Sequence, residues 1–231
     1  MALEKRSASN TVFLQAKHYC LWQEIKKPVE GCETVEVTNP KTKQTLTKHG
    51  FAYNTVTGRV TRLEKYDTGD KYASRFFGFK LHLQDNEGHY VFDMPYNSQA
   101  LRRFLVAAPN MEWSLPLSIT VFKGKKPDGA GAEPTVVWFR QKCETVKAYF
   151  TREHPHGMPD AFQDEISKEW DFKAQRRWLV SYLIENVMPA IADAAAVAAP
   201  PEEPAREAAS EPEPEFDPYG GHGITDDDVP F

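Results

Sequence analysis

The stretch YASRFFGFKLHLQDNEGHYVFDM, Tyr72 to Met94, decides the fold class. Two runs rich in aromatic and apolar residues flank Asp85-Asn86-Glu87-Gly88, a cluster of turn formers, and this pattern predicts a β-hairpin. Strand alternation splits residues 72–83 into two faces. Ala73, Arg75, Phe77, Phe79, Leu81 and Leu83 form the more apolar one, which is expected to face a core. Tyr72, Ser74, Phe76, Gly78, Lys80 and His82 form the other, which mixes rings with charge.

The same signals extend in both directions from this hairpin, from Thr11 to Phe150. Short runs of Val, Thr, Phe and Tyr between Gly, Asn, Asp and Pro predict strands near 11–24, 33–38, 51–56, 59–66, 89–94, 116–123 and 135–142, with a further one at 145–150. In 135–142, alternation sends Val137 and Phe139 inward and Trp138, Arg140 and Lys142 outward. One short helix interrupts the series. Ser98 is its N-cap, Leu101, Phe104 and Leu105 fall at helical spacing, and Pro109 stops it. The Gly124–Pro134 segment, carrying Lys125 and Lys126, reads as a flexible basic loop.

From Pro159 to Ile191 the period changes. Phe162, Ile166, Trp170, Trp178, Leu179, Tyr182, Leu183 and Val187 recur three and four residues apart, which predicts an amphipathic helix over 163–188, ended by Pro189. The chain then turns rich in Ala, Pro and Glu, a composition too poor in apolar surface to offset its ordering entropy. The expected division is therefore a β-domain over 1–158, a helix over 159–191 packed on it, a disordered linker over 192–223 and an acidic tip over 224–231.

The formal net charge of −5 conceals an asymmetry. Residues 191–231 hold eleven Asp or Glu against Arg206 alone, whereas residues 1–190 hold 27 Lys plus Arg against 22 Asp plus Glu. A basic body joined to an acidic tail points to a polyanionic partner for the body. Three cysteines, Cys20, Cys32 and Cys143, form no CxxC pair, which favours free thiols in a reducing cytoplasm. No window reaches the roughly 18 uncharged apolar residues of a membrane span. Chemistry also lacks its motifs. There is no phosphate-binding G-x-x-x-x-G-K-[ST] loop and no G-x-G-x-x-G or G-x-S-x-G element. His154-Pro155-His156 reads as a plain connection rather than a metal pair. Asp160, Asp164 and Glu165 read as helix-dipole partners rather than a nuclease's carboxylates. The sequence therefore predicts a protein without catalytic residues, metal or cofactor.

The last residues are the most specific. Gly223-Ile224-Thr225 leads into Asp226-Asp227-Asp228-Val229-Pro230-Phe231. Phe231 carries a ring and the main-chain carboxylate on one residue, so a partner needs an apolar pocket with a cation at its mouth and a basic rim for the aspartates. This hexapeptide resembles the C-terminal tip of bacterial and phage single-stranded DNA-binding proteins of the SSB family, with valine where isoleucine usually precedes the proline. The match covers six to nine residues, and the body cannot be aligned strand by strand with the family's domain. A divergent phage-encoded member fits best, which would place the chain in a host cytoplasm. The resemblance implies an OB-fold-like β-barrel and recruitment of replication and repair proteins through Asp226, Asp227, Asp228, Val229, Pro230 and Phe231.

Gripping single-stranded DNA without sequence preference requires cations for phosphate and flat rings for bases. The candidates are Tyr53, Arg59, Arg62, Tyr72, Phe76, Lys80, Lys123, Lys125, Lys126, Trp138, Arg140 and Lys142, while Trp22 and Trp113 read as packing residues. The competing expectation is an adaptor or recombination mediator whose SSB-like tail serves a body that does not hold DNA. The sequence leaves monomer and homo-oligomer both open.

Overall fold

The computed structural model describes residues 11–38, 42–67, 77–125, 133–163 and 170–198. Ten strands form one curled, half-barrel sheet: β1 (Thr11–Lys17), β2 (Cys20–Ile25), β3 (Glu33–Thr38), β4 (Thr45–Tyr53), β5 (Thr55–Asp67), β6 (Phe77–Gln84), β7 (His89–Pro95), β8 (Leu117–Lys123), β9 (Thr135–Gln141) and β10 (Glu144–Thr145). Their order is β10-β9-β8-β5-β6-β7-β1-β2-β4-β3. Neighbours run antiparallel except β1 and β7, which pair in parallel with Phe13 opposite Val91. Right-handed strand twist accumulates across so many strands. A bulge in β5 between Val60 and Arg62 adds local bend. As a result β2 comes back close to β8.

The β6–β7 hairpin forms as its sequence predicts. The Asp85 carboxylate accepts the Glu87 and Gly88 N–H groups and closes the turn. Phe79, Leu81 and Leu83 are fully buried on one face. That face continues through Leu14, Leu21, Val60, Leu63, Phe92, Met94, Ile119, Val121, Val137 and Phe139 into a single core.

Helix α1 (Gln99–Ala107) lies on this apolar face, with Ser98 Oγ accepting the Leu101 N–H at its start. Leu101, Phe104 and Leu105 are buried as their spacing predicts. Phe104 meets Phe139 edge-on at 5.5 Å between ring centroids. Trp113 joins the same core.

A long C-terminal helix follows, made of α2 (Lys173–Tyr182), a π-helical stretch (Leu183–Val187) and α3 (Met188–Ala198). Leu179, Val180, Leu183, Val187 and Ile191 face the core, and α3 runs along β5. By length and composition this helix is apolar enough to cross a membrane, which the sequence reading did not anticipate. Here its buried side chains are covered by the sheet and by Phe150, whose ring lies edge-on to Trp178 and Tyr182 at 5.3 and 5.0 Å.

Four expectations are corrected. The predicted strand over 11–24 is two strands, because His18 and Tyr19 both take positive φ (50° and 64°) and turn the chain back tightly. Residues 146–150 are not a strand; Tyr149 and Phe150 turn into an aromatic cluster with His156, which stacks on Tyr149 at 4.1 Å. The predicted helix start near 163 is replaced by a two-stranded ribbon, β11 (Phe162–Gln163) and β12 (Trp170–Asp171). The helix begins at Lys173, whose N–H is taken by the Asp171 carboxylate. Finally, Pro189 does not end the helix. The Met188 N–H reaches back to the Leu183 carbonyl, so the wider π-type spacing accommodates a proline that has no N–H of its own.

Candidate nucleic-acid interface

The two helices pack on the apolar face, so the interest lies in the opposite, outer face. Strand register sets its side chains in cross-strand rows. One row runs Glu64, Lys80, Asp93, Gln15, Trp22 and Ala52 across β5, β6, β7, β1, β2 and β4. The adjacent row begins Arg62, His82, Val91 and Phe13. On β5, β8 and β9 the same face carries Thr55 opposite Thr120, Thr57 opposite Ser118, Thr120 opposite Trp138 and Ser118 opposite Arg140.

Five of the sequence candidates therefore share this face: Arg59, Arg62, Lys80, Trp138 and Arg140. Trp138 is 42% exposed and stands edge-on against Phe122 at 4.6 Å. Arg140 donates to the Cys143 carbonyl at 2.8 Å, and its Nε is buried without a partner. Arg59 Nε is likewise buried and unpartnered. Lys80 sits 5.0 Å over the Tyr66 ring. Arg62 is tied to Glu64 at 2.6 Å and contributes less free charge.

The remaining candidates lie elsewhere. Tyr53 is in register with Leu21, on the opposite side of the sheet, and donates to Gln23 Oε1. Lys142 is not on the outward face of a strand. It occupies the β9–β10 turn at φ 50°, held to Glu112 at 3.0 Å. That contact keeps the Glu112 carboxyl below its usual range. Lys123 ends β8 on the core-side parity, paired with Glu133 and 5.5 Å from the Tyr19 ring. Lys125 is exposed beside Gly124. Tyr72, Phe76, Lys126 and Asp226 to Phe231 lie outside the described residues.

Comparison with known proteins returns nothing: no family model, curated protein or solved structure matches this chain.

The outer face also holds groups that the sequence reading did not select. Thr55 and Thr120 hydroxyls meet at 3.0 Å and Thr57 and Ser118 at 2.7 Å, a ladder of hydroxyls beside Trp138 and Arg140. A polar chain crosses the sheet: Arg62 and His82 Nε2 both meet Glu64, His82 Nδ1 meets His89 Nε2 at 3.2 Å, and Thr11 Oγ1 meets His89 Nδ1. Arg62 Nη2 also approaches His82 Nε2, at 3.4 Å. Burial, then the Arg62 charge, hold the His82 pKa below its ordinary value, and the Glu64 bond opposes them. Phe13 is 58% exposed on β1, whereas Trp22 is buried on β2 with its indole N–H unpartnered. Once the turn at His18 and Tyr19 is placed, alternation of Thr11, Phe13 and Gln15 against Val12, Leu14 and Ala16 identifies Phe13 as outward.

Among the described residues, the buried side-chain polar atoms lacking a partner are Trp22 Nε1, Arg59 Nε and Arg140 Nε. All three are donors, and all three belong to the outer face. Among the described residues no three His, Cys, Asp or Glu side chains converge on a point that would hold a metal ion.

Proposed function

We propose that this chain binds single-stranded DNA on the outer face of its sheet, without catalysis, and recruits replication and repair proteins through Asp226 to Phe231. The observation that carries the reading is that register sets two arginines and a row of hydroxyls on the same face as an exposed ring. Arg59 and Arg140 bring guanidinium charge to this face for phosphate oxygens, the hydroxyl ladder adds donors, and Trp138 offers a surface for a base. The basic body and the SSB-like tip support the same reading from the sequence. An OB-type barrel, built where the curled sheet brings β2 back toward β8, belongs to this proposal.

Fluorescence anisotropy with labelled oligo-dT tests it. Binding tighter than to duplex, weakening as salt rises, is the expected result. Equal or absent affinity for the two rejects the proposal. Deleting Asp226 to Phe231 is expected to abolish capture of partner proteins while leaving oligo-dT binding intact; partners that persist without those residues reject the recruiting role.

One observation favours the adaptor reading. Glu24, Glu64 and Asp93 share the outer face and neutralise part of its charge. An adaptor binds no oligo-dT at any salt concentration.

A further inference from the structure

A compact cavity of about 180 Å³ opens on the outer face beside Trp138, lined by Thr55, Ser118, Thr120, Arg140 and Cys143. Register brings four of these together. Thr55 on β5 faces Thr120 on β8, and Ser118, two residues before Thr120, faces Arg140 on β9. The Thr55 and Thr120 hydroxyls meet at 3.0 Å, and Ser118 is paired in turn with Thr57 at 2.7 Å. In each pair one hydroxyl donates to the other, so one O–H per pair is left for a ligand. The fifth residue fixes the cation. Lys142 and Cys143 both take positive φ (50° and 65°), and the tight β9–β10 turn they form sets the Cys143 carbonyl where it accepts Arg140 Nη2 at 2.8 Å. That partner is neutral and takes only one of the five N–H groups of the guanidinium. Among the described residues no carboxylate lines the cavity.

The space is smaller than the roughly 300 to 1,000 Å³ of ordinary small-molecule pockets, so it suits one compact group. Hydroxyls beside a guanidinium, with no carboxylate among them, select an anion, and the N–H fork of arginine fits the oxygens of phosphate two at a time. Trp138 narrows the choice further. It precedes Arg140 by two residues on the same face, about 7 Å along the strand, a step that one nucleotide spans from phosphate to base. We infer that this cavity is a phosphate subsite, in which Arg140 and the free hydroxyls of the two pairs hold the oxygens of one phosphate while its base lies on Trp138. The inference rests on the DNA-binding reading and deepens it: one phosphate is held at a defined place, by hydroxyl groups as well as by charge. An internal diester and a terminal phosphate present the same oxygens, and the experiment separates them.

Cys143, exposed at the rim, reports occupancy without any substitution. On the full chain, its alkylation by N-ethylmaleimide is followed by peptide mass, with the half-buried Cys32, between β2 and β3 at the other end of the sheet order, as internal control. Inorganic phosphate is expected to slow Cys143 severalfold relative to chloride at equal ionic strength, and dTMP relative to thymidine, with Cys32 unchanged. Equal rates at Cys143 overturn the subsite whether or not DNA binds. The double variant Thr55→Val with Thr120→Val keeps shape and charge but removes one hydroxyl pair. It is expected to abolish the protection and to weaken oligo-dT binding about tenfold, the worth of one hydrogen bond to a charged group, at an unchanged salt slope. Arg140→Lys keeps the charge without the fork and is expected to weaken oligo-dT binding as well. Should the double variant fold poorly, protection of Cys143 in the parent still decides. Oligo-dT binding at parental affinity in both variants overturns the subsite and spares the proposed function. Protection by dTMP without oligo-dT binding does the reverse. Finally, oligo-dT carrying a 5′- or a 3′-phosphate is compared with the unphosphorylated strand: tighter binding of either assigns the subsite to a terminal phosphate, and equal binding, with the loss in the threonine variant, assigns it to an internal diester.

Discussion

Gly50→Ala is the most direct probe of how the outer face is built. Gly50 lies on β4, and a Cβ there would stand 2.5 Å from the Gln23 carbonyl oxygen and 2.5 Å from Trp22 Cε2 and Cζ2. Carbon atoms settle near 3.5 to 4.0 Å, so ring or strand must retreat by about 1 Å. Neither partner yields easily. The carbonyl is backbone in the β2–β4 pairing, and the Trp22 ring is buried. Overpacking typically costs about 1 to 3 kcal/mol, and two immobile neighbours place this site in the upper half of that range. The unfolded-state benefit of replacing glycine offsets about 0.4 to 1 kcal/mol of it. A net loss near 2 kcal/mol lowers the melting temperature by about 4 to 8 °C for a chain of this size. Thermal unfolding by circular dichroism, at fixed protein concentration, measures it. In the double variant Trp22→Leu with Gly50→Ala, the second change is expected to cost less than it does alone, since the ring contact is gone, yet still something, since the carbonyl remains. A Gly50→Ala protein melting within about 1 °C of the parent would show that Trp22 does not rest on β4.

Trp138→Ala is expected to weaken oligo-dT binding by roughly 5- to 150-fold, the worth of one stacked base, while the 42%-exposed site keeps the melting temperature close to the parent's; anisotropy and a melt on the same sample read both. The His82 pKa is held below the ordinary value of 6.5 by burial and by Arg62, so the native state favours neutral imidazole. Its contribution to stability is complete above the unfolded value near 6.5 and is lost as the pH falls through the lower folded value, so chemical denaturation between pH 7 and 5 should show a decline that His82→Gln reduces. Arg59, Lys80 and Arg140 are the outer-face candidate cations outside the ion pairs described, and three phosphate contacts give a slope of log affinity against log salt of about −2 for a single strand. A slope near zero would remove phosphate contact from the interface.

Much of the fold was legible where local chemistry agreed with tertiary context. The Phe77–Pro95 hairpin, the Ser98 cap and the inward Val137 and Phe139 each follow from turn residues and alternation that packing then reinforces. The misses share a cause, which is backbone geometry that the local residues do not favour. His18-Tyr19 turns the chain in the left-handed region without glycine or asparagine. Pro189 stays helical because a π-type stretch precedes it. Trp170 sits at helical spacing in the sequence yet lies in a two-residue strand, as long-range pairing with Phe162–Gln163 outweighs periodicity. The candidate site was half legible. Alternation put Trp138, Arg140 and Lys80 on one surface, but β5 joins β6 on one side and β8 on the other, and only this topology shows that the surface is continuous. Phe13 and the hydroxyl ladder depended on that register as well.

The two faces of the sheet resolve their polar groups differently, and this difference makes the function arguable. On the apolar side the polar groups are few and the helices cover the surface. On the outer side many polar groups satisfy one another: Tyr66 and Gln15 hold Asp93, Glu64 joins Arg62 to His82, and threonines and Ser118 pair across β5 and β8. A surface meant only for water has no need of such internal pairing, because water satisfies each group equally well. Pairing matters when a ligand displaces the water, since any group left alone is then penalised. Among the described residues, the buried side-chain groups left unpaired on this face are N–H donors. Nucleic acid is rich in acceptors, with phosphate oxygens along the strand and carbonyls on the bases. Under the proposed function, Arg59 and Arg140 stand on the face where those phosphate oxygens would lie.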